Sequence, residues 1–146
     1  LIISILLIQF IGILGAFVFS RLSGIIGNLR SIMIAITIWI FICIYSYLIV
    51  RLPIHFYMVA VSIGFVMGGI QALSRSTYSK LLPETEDNAS FFSFYDVMEK
   101  LGIIIGTVSF CLISEIVGGM RPSLLSLILF FVIGFIGLLF VPKTIK

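Results

Sequence analysis

Residues 123–141 read SLLSLILFFVIGFIGLLFV, a run without one charged side chain. A helix rises ~1.5 Å per residue, so about 20 such residues cross the ~30 Å hydrocarbon core of a bilayer. The stretch is read as a membrane span, and that reading decides the fold class. Outward from it, four more stretches of the same kind occupy 1–20, 31–50, 54–74 and 101–118. Composition agrees: 61% of residues are hydrophobic and 10% charged, with a mean hydropathy of +1.32. Soluble domains carry about 25% charged residues and could not hide this much apolar surface. The expected architecture is all-α, a polytopic transmembrane helix bundle. It forms a single transmembrane domain over 1–146, set in a lipid bilayer, with 75–100 as a cytoplasmic loop.

The chain opens on Leu1 and enters an apolar run directly, with no basic segment and no small-residue cleavage site. A signal peptide is therefore not expected. The start is read as a truncation inside a longer protein, whose N-terminal helices are then missing partners of these spans.

Basic residues report topology here. If each span crosses once, Arg21, Arg30, Arg75, Lys80, Lys100, Lys143 and Lys146 share one side, and Arg51 and Arg121 the other. That bias places the 21–30 and 75–100 segments and the C-terminus in the cytoplasm, while Glu84, Glu86 and Asp87 weigh little in the count. The net charge of +3 is no nucleic-acid signal, and no nucleic-acid partner is expected. Cys43 and Cys111 form no C-x-x-C pair and have no histidine at ligand spacing, so neither metal nor disulfide is expected. Both are read as small buried hydrophobes.

The spans differ in pattern. At ~100° per residue, Gln9, Gly12, Ala16 and Ser20 share one face of the first span. Gly64, Gly68, Gln71 and Arg75 do so in the third, and Glu99, Gly102, Gly106 and Ser109 in the fourth. Gly64/Gly68 and Gly102/Gly106 have the spacing of close helix packing, which by itself explains the glycines. Gln71 and Arg75 call for more, because polar groups in a span usually face a bundle interior or a wet cavity. The second and fifth spans are apolar all round, and Trp39, Tyr45 and Tyr47 are read as an interfacial girdle on the second. Three spans thus carry polar faces and two look peripheral, the pattern of a bundle around a central path.

The long connection extends the third span through Ser76-Thr77-Tyr78-Ser79-Lys80 until Pro83 breaks it. Glu84 to Asn88 reads as an acidic turn, with Asn88 or Ser90 capping the next helix. Phe91, Phe92, Phe94 and Tyr95 suit the headgroup level. The sequon Asn88-Ala89-Ser90 lies on the cytoplasmic side, where it is not used.

The string Gly68-Gly69-Ile70-Gln71-Ala72-Leu73-Ser74-Arg75-Ser76, then Leu82-Pro83, Phe91-Phe92-Ser93-Phe94-Tyr95 and Lys100, carries a resemblance. It resembles the vacuole-effluxer-like branch (autophagy-related amino-acid effluxers) of the major facilitator superfamily. The resemblance spans essentially the whole chain and implies helices eight to twelve of a twelve-helix transporter, in its C-terminal half. It implies a secondary-active transporter whose two six-helix halves rock about a midplane site. In that fold the eighth, tenth and eleventh helices approach the cavity, while the ninth and twelfth are peripheral. Fungal relatives release amino acids from the vacuole, so the solute is expected to be small, with amino acids suggested by analogy. Bacterial relatives point to a bacterial inner membrane. The loop after the eighth helix in the family resembles Gly-x-x-x-Asp-Arg-x-Gly-Arg-Arg. Here Arg21-Leu22-Ser23-Gly24-Ile25-Ile26-Gly27-Asn28-Leu29-Arg30 keeps Gly27 and Arg30 but has Gly24 and Ile25 in place of the Asp-Arg pair. Thr107 also stands where relatives often have proline.

The expected solute path comprises Gln71, Gln9, Gly64 and Gly68. The expected cytoplasmic gate comprises Arg75, Asp96, Glu99, Arg21 and Arg30, with Arg75 pairing Asp96 or Glu99 when the mouth closes. The plainer reading lets Arg75 snorkel to lipid phosphates with both acids solvated. Glu115 is read as reaching the outer interface, with proton coupling the lesser reading. His55, the single histidine, is read at the outer headgroup level. No nucleophile–base pair, metal cluster or phosphate-cradling loop points to an enzyme, and no cofactor is called for. A membrane scaffold or interaction subunit, complete as five helices, is the alternative to transport.

Overall fold

The computed structural model of the chain describes residues 2–49, 52–82 and 87–141, apart from the side chains of Met120 and Arg121. It is all-helical: α1 (Ile2–Ile26), α2 (Asn28–Ile49), α3 (Pro53–Leu81), α4 (Asn88–Val117) and α5 (Met120–Leu139). All five are long and apolar enough to cross a membrane. Pro83, Glu84 and Glu86, expected to break a helix and form an acidic turn, lie outside the described residues. So do Arg51, Lys143, Lys146 and the Arg121 side chain from the topology count.

The expected loop over 21–30 contracts to one residue. Gly27 has φ +91°, which glycine adopts without steric cost, and it joins α1 directly to α2. Ser31 Oγ donates to the Gly27 carbonyl at 2.9 Å, which braces the turn. Most of the 75–100 connection is helix, as its pattern predicts: α3 continues to Leu81 and α4 starts at Asn88. At 29 and 30 residues, α3 and α4 reach about 43 and 45 Å, longer than a ~30 Å core. The cap of α4 is Asp87, whose carboxylate accepts from Ser90 N at 3.3 Å, in place of the expected Asn88 or Ser90. An aspartate one residue earlier presents the better-placed oxygen. Gly118, at φ +73°, ends α4 in a left-handed cap.

The helices pack in the spatial order α1, α3, α2, α5, α4. In lipid the hydrophobic effect does not drive helices together, so close packing has to. The tightest seam is α1 on α3. A methyl group on Gly68 would overlap the Gly12 carbonyl, and one on Gly64 would sit 2.7 Å from the Ile8 carbonyl oxygen. The expectation of close packing holds at this pair of glycines. It does not hold at Gly102 and Gly106, where a methyl group would meet nothing within 4 Å. The reason is position: α4 buries no residue against the other four helices.

The apolar core centres on Phe19, Ile32, Ala35, Ile36, Val66 and Leu73, shared by α1, α2 and α3. Trp39, read as a girdle residue, packs its ring on Phe131 of α5, 5.4 Å between centroids. The apolar α2, read as peripheral, buries seven residues, as many as α3. Its uniform apolarity suits a helix covered by protein on several sides. Cys43 is buried as expected, whereas Cys111 is exposed, because α4 lacks neighbours on that face.

Candidate functional site: a cavity between α1, α3 and α4

The glycine seam brings the polar faces of α1 and α3 to one side of the bundle, and the first turns of α4 meet them at Phe92, Tyr95 and Glu99. Together they line a cavity of about 980 Å³, to which α2 and α5 contribute no lining residue. Gln9, Gly12 and Ala16 come from α1, and Gly64, Gly68, Gln71 and Arg75 from α3. All four expected path residues, Gln71, Gln9, Gly64 and Gly68, are thus on one wall. Each glutamine offers an amide donor and an acceptor to whatever fills the space. The glycines expose backbone there while holding α1 against α3.

At the end of the cavity where α3 finishes and α4 begins, Arg75 Nη2 lies 2.6 Å from Asp96 Oδ1. The two side chains are 58% and 44% exposed, so the pair is only partly withdrawn from solvent. The Arg75 guanidinium also stands 5.9 Å from the Tyr95 ring centre. Tyr95 stacks obliquely on Tyr78 at 5.0 Å, and Tyr78 meets Phe92 edge-on at 6.0 Å. The Tyr78 hydroxyl donates to the Phe91 carbonyl at 2.9 Å, a further link between α3 and α4. Phe92 and Tyr95 therefore turn inward on α3, while Phe91 and Phe94 are exposed, the placement that suits a headgroup role. Glu99 lines the cavity but makes no ion pair among the described residues.

Arg21 and Arg30 are not part of this arrangement. Arg21 lies over the Phe17 ring at 4.7 Å, and both arginines are exposed away from the cavity wall. Ile25, in the place of the family's loop arginine, is 83% exposed. Glu115 is exposed near the far end of α4, and His55 Nδ1 lies 3.2 Å from the Ile49 carbonyl oxygen. Among the described residues, no cluster of His, Cys, Asp or Glu could hold a metal.

One polar cluster escaped the reading of the sequence. Asn28, the first residue of α2, is 2% exposed and bonds to three side chains of α3. Those partners lie 48 to 52 residues away, and no local pattern announces them.

Residues 1–144 match the family described as vacuole effluxer Atg22 like. The chain is similar to the uncharacterized MFS-type transporter YxiO of Bacillus subtilis (strain 168), 36% identical over 110 residues, which is 75% of this chain and 25% of that protein. It is also similar to autophagy-related protein 22 of Eremothecium gossypii, 35% identical over 80 residues, covering 55% of this chain and 16% of the relative. Autophagy-related protein 22-1 of Phaeosphaeria nodorum is 36% identical over 75 residues, or 51% and 13% of the two chains. The matched segments thus span a quarter or less of these relatives. No solved structure matches the chain. The family is one of transporters and not of catalytic enzymes. With five membrane-spanning helices and a match over nearly its whole length, this chain is an integral membrane protein and belongs to the Atg22-like family of MFS-type transporters.

Proposed function

We propose that these helices form the C-terminal part of a secondary-active transporter, the last five of twelve, which moves a small solute by alternating access. The membrane is a bacterial cell membrane, by analogy with the Bacillus subtilis relative, and the C-terminus is cytoplasmic, on the distribution of basic residues. The observation that carries the reading is the cavity between α1, α3 and α4, with Gln9 and Gln71 on its wall and the Arg75–Asp96 pair at one end. Gln71 and Gln9 contact the solute, and Arg75 with Asp96 closes the cytoplasmic mouth, with Glu99 as a second acceptor when the mouth rearranges. A half-exposed pair contributes up to about 1 kcal/mol, weak enough to be made and broken in each cycle. Amino acids are the first solutes to test, by analogy with the fungal relatives.

The test is transport by the full-length protein in proteoliposomes, with Gln71→Ala beside it. Saturable uptake that Gln71→Ala reduces about tenfold supports the reading, since one lost polar contact to the solute is worth up to ~1.4 kcal/mol. Uptake unaffected by Gln71→Ala removes Gln71 from the path.

A further inference from the structure

Asn28 uses its whole amide. Nδ2 donates to Ser76 Oγ at 3.1 Å and to Thr77 Oγ1 at 3.3 Å, and Oδ1 accepts from Lys80 Nζ at 3.1 Å. Thr77 Oγ1 donates onward to the Leu73 carbonyl at 2.6 Å. Among the described residues no buried side-chain nitrogen or oxygen lacks a partner, so this node is complete. Its place along the chain is fixed as well, because Gly27 alone separates it from α1 and Ser31 braces that turn. Beyond Leu73, Thr77 is the one buried position of α3. The extended end of that helix is therefore held on α2 chiefly through Asn28.

Ser76, Thr77 and Lys80 point, on average, roughly 150° round the helix from Arg75. One side of the α3 end is thus tied to α2 by a buried, fully bonded amide, and the other meets α4 through an exposed ion pair. The two contacts differ in lability. Opening the node leaves the buried Asn28 amide without partners and returns the exposed Lys80 ammonium to water, whereas opening the pair hands two half-exposed groups to water.

We infer that Asn28 is the positioning residue of the cytoplasmic mouth: by tying the back of α3 to α2, it sets the rotation of α3 at which Arg75 meets Asp96. This rests on the gate reading above. In that scheme α1, α2 and the end of α3 move as one piece, and the seam between α3 and α4 opens.

The experiment uses the full-length protein with Cys43 and Cys111 replaced by alanine and a reporter cysteine at position 71. Inside-out vesicles are exposed to a membrane-impermeant thiol reagent, and the labelling rate is measured for Asn28→Leu, Asp96→Asn and the two combined. Each single variant is expected to speed labelling by up to about fivefold, the shift that losing one exposed ion pair produces. The combined variant is expected to label no faster than Asp96→Asn, because Asn28 acts through that pair. Lys80→Met, a surface change that leaves folding intact, is expected to repeat the pattern more weakly. Rates that multiply in the combined variant make Asn28 an independent structural contact and overturn the inference. Asn28→Leu and Lys80→Met both labelling at the parent rate, while Asp96→Asn labels faster, overturn it too. Asp96→Asn labelling at the parent rate sinks the gate reading itself, and the inference with it. Labelling needs no solute, so a failure to find transport bears on the proposed function and not on Asn28.

Discussion

Arg75 on α3 reaches Asp96 on α4 at 2.6 Å, although Glu99 stands three residues further along the same cavity. Choosing the nearer acid puts the ion pair at the end of the cavity and leaves Glu99 as a carboxylate on its wall. The Tyr78–Phe92–Tyr95 cluster beside the pair supplies the apolar part of the same seam. Charge and packing therefore meet at one place, where the end of α3 meets the start of α4.

That choice of partner is testable by exchange. In the full-length transporter, Arg75→Glu and Asp96→Arg are each expected to abolish most transport, since each sets like charges against one another. The combined swap is expected to restore a measurable part, and pairing Arg75→Glu with Glu99→Arg is not. Initial uptake rates in proteoliposomes decide it, and restoration through position 99 alone would transfer the partner role to Glu99.

Because the pair is half exposed, it is screened by salt. Raising ionic strength from about 0.1 to 1 M shortens the screening length from ~10 to ~3 Å. Cytoplasmic labelling of a cysteine at position 71 is expected to quicken over that range in the parent and to stay flat in Asp96→Asn.

The two glycine pairs are expected to behave differently in the 146-residue chain in detergent. Gly68→Ala forces α1 and α3 apart at the Gly12 carbonyl and should destabilise by roughly 1–3 kcal/mol. Gly102→Ala meets open space and should leave the melting temperature unchanged or slightly raised. Equal losses at both sites would contradict the seam described for α1 and α3.

Trp39 is the sole tryptophan, so its fluorescence reports the contact of α2 with α5. A double-mutant cycle over Trp39→Leu and Phe131→Leu is expected to show about 0.5–1.5 kcal/mol of coupling, read by thermal melting. In Phe131→Leu the emission of Trp39 should shift measurably. Zero coupling and an unmoved spectrum would place the ring elsewhere, at an interface.

The five helices alone are expected to support no uptake, because the opposing half that alternating access requires lies outside them. Reconstituted chain and full-length protein, compared at equal density in one vesicle preparation, check this. Saturable uptake by the chain of 146 residues would favour a different mechanism.

The spans were legible because crossing a bilayer is a local property: length and apolarity of a single run decide it. The polar faces were legible for the same reason. Gln9 with Gly12, and Gly64 with Gly68 and Gln71, follow the helical period, so which helices meet the cavity could be read before any contact was known. Local patterns also misled where neighbours matter. Gly102 and Gly106 share the spacing of Gly64 and Gly68, yet only the latter pair has a helix against it. Trp39 carries the composition of a girdle, which does not announce its contact with Phe131.

By itself, then, the order of residues determined five apolar helices and polar stripes on α1 and α3, all set by neighbours within a few residues. The tertiary structure alone decided that Arg75 takes Asp96 over Glu99 and that Asn28 ties α2 to Ser76, Thr77 and Lys80. Hydrogen bonds and ion pairs act over ~3 Å, and that reach is fixed by how helices far apart in sequence cross and rotate against one another.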